Sequence, residues 1–293
     1  MRSRAERTRR LSDARAWKID RSGAPSPRAY LQFVGRITRA WKRQILRALG
    51  LDRTADAKDP KPKGPPTPAE LLAEQERARD LARRLQLLRL VPPKPSEVEA
   101  VGAPAARQAM RTARRSVENA GVPRTEVALR LGLDASVVVG LDIAPTLAEQ
   151  TALTSWAKTG TDLIVSVGQE LVAGLDEHIQ QAARAGTLTA DLRQVVMDRL
   201  GVSERHAQFI ARDQIAKLNG QITEATHKAA GITHYRWRSS RDQRTRPDHR
   251  ALDGTTQAWA DPPVVDERTG RREHPGGDYQ CRCVAIPIVD DED

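Results

Sequence analysis

The sequence is poor in aromatic residues and in cysteine, and it has no long apolar run. Only 3% of its 293 residues are Phe, Trp or Tyr, which argues against a large β-sandwich, whose strands favour aromatic and β-branched side chains. Helices are expected to dominate. The two cysteines, Cys281 and Cys283, flank a single arginine. A disulfide closing so short a loop would constrain little chain, and the pair suits a reducing compartment. No segment reaches the ~18–20 apolar residues that a membrane-spanning helix needs: the best candidate, Leu131 to Ala144, is interrupted by Asp134, Gly140 and Asp142. No apolar signal-peptide segment follows the basic start Met1-Arg2-Ser3-Arg4, so secretion by that route is not expected.

What is present is unevenly distributed. The net charge is +10, and residues 1–60 alone carry 16 Lys/Arg against 6 Asp/Glu, so the whole excess lies there and the remainder of the chain is neutral. The high isoelectric point therefore describes an N-terminal arm. Residues 1–22 are Arg-rich with few large apolar groups and are expected to be disordered. From Pro27 to Leu49, the spacing of Leu31, Val34, Ile37, Trp41, Ile45 and Leu49 predicts a basic amphipathic helix closed by Gly50. Arg2, Arg4, Arg7, Arg9 and Arg10, with Arg36, Arg39, Lys42 and Arg43 on the helix, are the candidate contacts to nucleic-acid phosphates.

At roughly 150 residues per domain the length suggests about two domains. Residues 1–60 read as the basic arm, 61–68 as a proline-rich linker, 69–200 as a helical body and 201–293 as a small α+β head. Thr67-Pro68 with Glu70 predicts a capped helix start, and that helix should run to about Leu90. Residues 96–131 suggest two or three short helices with a break at Gly121-Val122-Pro123. Ile164, Val167, Leu171, Leu175 and Ile179 line a helix that ends at Gly186, and another is expected from Thr189 to Gly201. A long helix should follow from Ser203 to Ala230, with Ala207, Ala211, Ile215, Leu218 and Ile222 on one face. Alternation at Ile232–Arg238 then suggests a strand, with further short strands at Trp259 and from Cys283 to Val289. Tyr235, Trp237, Trp259 and Tyr279 give this head material for its own core.

The head also carries the most specific spacing: Asp242-x-Arg244-Thr245-Arg246-Pro247-x-His249, Leu252-Asp253-Gly254, Pro262-Pro263 and Cys281-Arg282-Cys283, preceded by Ala211-Arg212-Asp213-Gln214 and Ala230-Gly231. Over about residues 200–289 this resembles the phage head morphogenesis family, the Mu F-like minor head proteins. One departure is visible. Many members place a histidine close before the cysteine pair, in a Pro-Pro-x-His-x-x-Cys-Arg-Cys form, whereas His274 stands seven residues before Cys281. The resemblance implies a minor virion protein in the head interior or at the portal vertex, made in the host cytoplasm. Its implied partners are the portal protein, packaged double-stranded DNA and a major capsid or scaffold protein, and its implied roles are head assembly and genome ejection.

Two chemical readings accompany it. Cys281, Cys283, His249 and His274 form a ligand set of the kind zinc takes, but a one-residue gap is tighter than the usual cysteine spacing. Two buried thiols beside a hydrogen-bonded histidine are the preferred reading, and no cofactor is expected. Asp242, Arg244, Arg246 and His249 would suit a phosphodiester-cleaving enzyme, with His249 as base, Asp242 orienting it and the arginines on phosphate. The same residues suit a turn leading into a short helix at Pro247, and that non-enzymatic reading is preferred. Neither helix-turn-helix nor zinc-finger spacing is present, and His178, His206 and His227 receive no role.

Overall fold

A computed structural model of the chain describes residues 27–51, 65–133, 144–186 and 188–289. The expected disordered segment, its arginines Arg2, Arg4, Arg7, Arg9 and Arg10, and linker residues 61–64 lie outside them. Seven helices and five short strands follow in order: α1 Arg28–Ala48, α2 Pro68–Leu87, α3 Pro95–Asn119, α4 Arg124–Arg130, α5 Leu147–Ala185, α6 Leu188–Ala229, β1 His234–Arg238, α7 Pro247–Ala251, β2 Thr256–Ala258, β3 Val264–Asp266, β4 Arg271–Arg272 and β5 Val284–Ile288. The fold is mostly helical with a small α+β C-terminal head, as the composition indicates.

The chain forms two compact units, each assembled from separated segments. One comprises Leu31–Lys94 and Thr159–Ala211; the other comprises Met1–Tyr30, Pro95–Lys158 and Arg212–Asp293. In the first unit, Ile45 and Leu49 of α1 join Leu81 and Leu85 of α2, Leu175 and Ile179 of α5, and Leu188 and Val196 of α6 in one apolar core. Helix α2 begins as its sequence dictates: the Thr67 hydroxyl accepts from the Glu70 amide and the Glu70 carboxylate accepts from the Thr67 amide.

Two helices run through residues that often end one, and at Gly201 this differs from the sequence reading. Residues 95–130 form two helices with the break at Gly121-Val122-Pro123, as the sequence suggests, and the first is long and runs through Pro104. The burial of Ala105, Ala106, Ala109 and Ala113, residues of the highest helix propensity, carries it past Pro104, where proline removes one donor and crowds the preceding turn at a cost of about 3 kcal/mol. Helix α6 likewise runs unbroken through Gly201. A glycine in a helix costs only ~1 kcal/mol relative to alanine, less than full burial of a side chain such as Leu192 or Val196 returns.

In the second unit, α5 starts with a half-buried capping box. The Glu149 amide donates to the Thr146 hydroxyl at 3.2 Å, and the Thr146 amide donates to the Glu149 carboxylate at 2.9 Å. That carboxylate also accepts from Arg114 Nη2 of α3 at 2.5 Å and from the Thr226 hydroxyl of α6 at 2.7 Å. One buried acid thus ties three helices together.

The head is a three-stranded antiparallel sheet in the order β2-β1-β5, with a separate β3-β4 pair. Alternation in β1 turns Tyr235 and Trp237 into the core. There they meet Trp259, Val265, Cys281, Cys283 and Ala285, together with Val117, Val122, Val127 and Leu131 from α3, α4 and the turns that follow them. Pro287 lacks an N–H donor and is accommodated because β5 is an edge strand.

Candidate functional site

The site is built from two loops and a short helix. After β1, Asp253 pins the chain by accepting from the Ser239 amide and from Arg241 Nε, both at 2.8 Å. Asp242 then folds a turn, accepting from the Arg244 amide at 3.0 Å, while the Thr245 amide closes on the Asp242 carbonyl at 3.0 Å. Arg282 grips the same carboxylate with both terminal nitrogens. This hydrogen bonding, with that of the Arg244 amide and Thr245, holds the Asp242 carboxyl down at about 2. Pro247 opens α7, the position where its missing N–H is harmless, and α7 carries His249 inward to 3% exposure.

The second loop reaches the same point from the other side. A Cβ at Gly220 of α6 would stand 2.7 Å from the Pro275 carbonyl oxygen, and one at Gly276 would stand 3.1 Å from the Ala216 carbonyl oxygen. Two glycines therefore let the loop lie directly on the helix backbone. Asp213, also on α6, accepts from the Gln280 amide at 2.6 Å and pairs with Lys217 at 2.8 Å. These contacts fix the chain immediately before Cys281.

His249, Cys281 and Cys283 converge, all three buried, with their ligand atoms within 4.8 Å of one another. His249 Nδ1 lies 3.6 Å from Cys281 Sγ and 3.4 Å from Cys283 Sγ. Its Nε2 is 3.0 Å from Asp278 Oδ2. Asp278 is fully buried and is held by Arg246 Nη1 on Oδ2 and Arg271 Nη2 on Oδ1, each at 2.7 Å. The amides of Gly276 and Cys283 both point at Cys281 Sγ, at 3.4 Å. Hydrogen bonding from Cys283 pulls the Cys281 thiol down against its burial, with His249 and the two amides adding to it. The Cys283 thiol is pushed up, first by Cys281 and then by burial. Burial alone would lower the His249 imidazole, but Cys281 and Asp278 outweigh it and raise it. The cluster is an electron-rich pocket suited to a proton or a soft cation.

A cavity of about 600 Å³ opens beside the cluster, lined by all three of its residues and by Arg212, Arg244, Arg246 and Arg282. His274 belongs elsewhere. Its Nδ1 is 2.9 Å from the Tyr235 hydroxyl and its ring lies 4.8 Å from that of Trp259. The four-ligand set read from the sequence is thus reduced to three. The enzyme arrangement is also not assembled as drawn: Asp242 is engaged by Arg282, and the carboxylate that orients His249 is Asp278. The sequence reading gave Asp278 no role, although it stands three residues before Cys281, and took Asp213 only as part of the family motif, because neither a loop nor a helical aspartate carries a mark of its partner. The exposed Arg36, Arg39 and Arg43 and the partly buried Lys42 lie on α1.

These observations define the C-terminal segment as a small α+β head whose spaced polar residues serve mainly to shape two loops around a Cys-x-Cys pair. Residues 173–286 match the family described as phage Mu protein F like protein, which bears out the resemblance read from the motif. The chain is also 34% identical over 181 residues to a protein of Haemophilus influenzae (strain Rd) described as an uncharacterized protein; the alignment covers 61% of this chain and 38% of that relative. No solved structure matches. No helix among the described residues is long and apolar enough to cross a membrane.

Proposed function

We propose that this protein is a minor structural component of a tailed-phage head, placed at or near the portal vertex, that acts in head assembly and genome ejection. The observation that carries the reading is the Mu F-like match over residues 173–286, within which the distinguishing residues have architectural work. Asp242, Asp253 and Arg282 shape the first loop, and Asp213 and Gly276 seat the second. Such use of a motif fits a scaffold better than a cleavage reaction. Its partners on this reading are the portal protein, a capsid or scaffold protein, and packaged DNA met by the basic residues of 1–60. The charge of that segment and the exposure of Arg36, Arg39 and Arg43 support the last contact, since each phosphate neutralised releases counterions. The test is mass spectrometry of density-purified particles. The protein should be found in full and emptied heads at differing amounts, and its presence in lysate but in no particle would end the structural assignment.

A further inference from the structure

We propose that His249 Nδ1, Cys281 Sγ and Cys283 Sγ hold a zinc ion whose fourth coordination position opens on the arginine-lined cavity. The first support is distance. Zinc bonds of about 2.3 Å to sulfur and about 2.05 Å to nitrogen, at a tetrahedral angle, place the sulfur and nitrogen about 3.6 Å apart. The two observed separations are 3.6 Å and 3.4 Å.

Hydrogen bonding alone explains the convergence less well. Nδ1 carries either one lone pair or one proton, and either is directed at a single sulfur. Two sulfurs at nearly equal distance fit a cation seated among all three atoms. The surroundings are those of a metal ligand set. Asp278 accepts at Nε2, which turns Nδ1 toward the sulfurs, and a carboxylate on the far nitrogen is the usual outer partner of a ligating histidine. The Gly276 and Cys283 amides both aim at Cys281 Sγ and would stabilise a thiolate there. A donor set of two sulfurs and one imidazole selects zinc over magnesium or calcium, which take oxygen.

Among the described residues no fourth His, Cys, Asp or Glu joins the group. All three ligands lie on the wall of the cavity that also carries Arg212, Arg244, Arg246 and Arg282. The fourth position is therefore left to an exchangeable ligand; Arg246 and Arg282 are paired with Asp278 and Asp242, and Arg212 and Arg244 of the same lining favour an anion. This inference concerns the isolated protein and stands apart from its place in a virion.

The full chain should be purified without chelator or metal-affinity resin and analysed for elements. About one zinc per chain is expected, falling at least about tenfold in Cys283→Ser and in His249→Ala after dialysis against a mild chelator. The wild-type chain with cobalt in place of zinc guards against variants that fail to fold. It should show thiolate-to-cobalt charge transfer and intense tetrahedral visible bands, and inorganic phosphate should shift those bands. A helical, folded wild-type chain that contains no zinc and takes up neither zinc nor cobalt overturns the proposal, as does a metal content unchanged by Cys283→Ser. Bands indifferent to phosphate overturn the open fourth position.

Discussion

Replacing Arg114 with methionine should destabilise the unit that carries the head more than any surface charge change would. Arg114 and Glu149 have side chains 2% and 0% exposed, with Nη2 and Oε2 2.5 Å apart. Removing one partner of a buried pair typically costs ~3–5 kcal/mol, because the other charge is left without compensation. Here the Thr226 hydroxyl and the Thr146 amide still donate to Glu149, so the lower end, about 3 kcal/mol, is expected. At a urea dependence of about 2–3 kcal/mol/M this moves the midpoint down by about 1–1.5 M. Combining Arg114→Met with Glu149→Leu should recover part of the loss, leaving about 1–2 kcal/mol, since the Thr226 hydroxyl and Thr146 amide then lack an acceptor and the Ala144 carbonyl loses a donor. Urea titration followed by fluorescence and by circular dichroism reads both. A single-variant cost of under about 1 kcal/mol, the range of an exposed pair, would refute the keystone role given to Glu149.

Three other outcomes are expected. His227 is buried against the Ser116 hydroxyl at 3.0 Å, and burial lowers it from 6.5 to about 3. In that window the unfolded chain binds a proton that the folded chain does not, so stability should fall as pH drops from 6.5 toward 3, by up to ~1.4 kcal/mol per pH unit; His227→Gln should flatten that dependence in urea titrations at several pH values, and an unchanged slope would contradict it. Gly220→Ala should push the Pro275–Gly276 loop off α6, costing ~1–3 kcal/mol as overpacking does and speeding alkylation of Cys281, whereas an unaltered alkylation rate would show that the loop is not seated by that contact. Changing Arg2, Arg4, Arg7, Arg9 and Arg10 to glutamine should weaken duplex DNA binding and reduce its log–log salt slope by up to about 4.5; a slope equal to that of the parent chain would assign these arginines another use.

The helical elements were legible where the pattern is local. The apolar spacing of α1 placed its buried stripe at Val34, Trp41, Ile45 and Leu49, and the Thr67-x-x-Glu70 signature located the start of α2. The same spacing at Thr146 and Glu149 marks α5, but nothing local reveals that Glu149 is buried against Arg114 and Thr226. The boundary went astray at Gly201, where packing outweighs a weak helix breaker, whereas the break at Gly121-Val122-Pro123 was legible. In the head, the motif gave the right neighbourhood and the wrong partners. His249 and the cysteine pair, which the fold brings together, were read as one set, while His274 was added to it as a residue type that binds zinc and Asp242 was assigned to His249 by nearness in sequence. Asp278 takes the place beside His249 because the fold returns the chain there through β3 and β4.

The core of the head has a consequence for inheritance. Tyr235, Trp237, Trp259 and the two cysteines pack with Val117, Val122, Val127 and Leu131, four residues that precede the matched segment 173–286 by more than forty positions. A gene exchange that swapped only that segment between related chains would import half of an apolar interior and leave the old half in place. Substitutions at Trp237 or Trp259 should therefore be matched by compensating changes of size between Val117 and Leu131, and a comparison of diverged homologues would reveal these as paired positions. The unit on which selection acts is larger than the stretch by which the family is recognised.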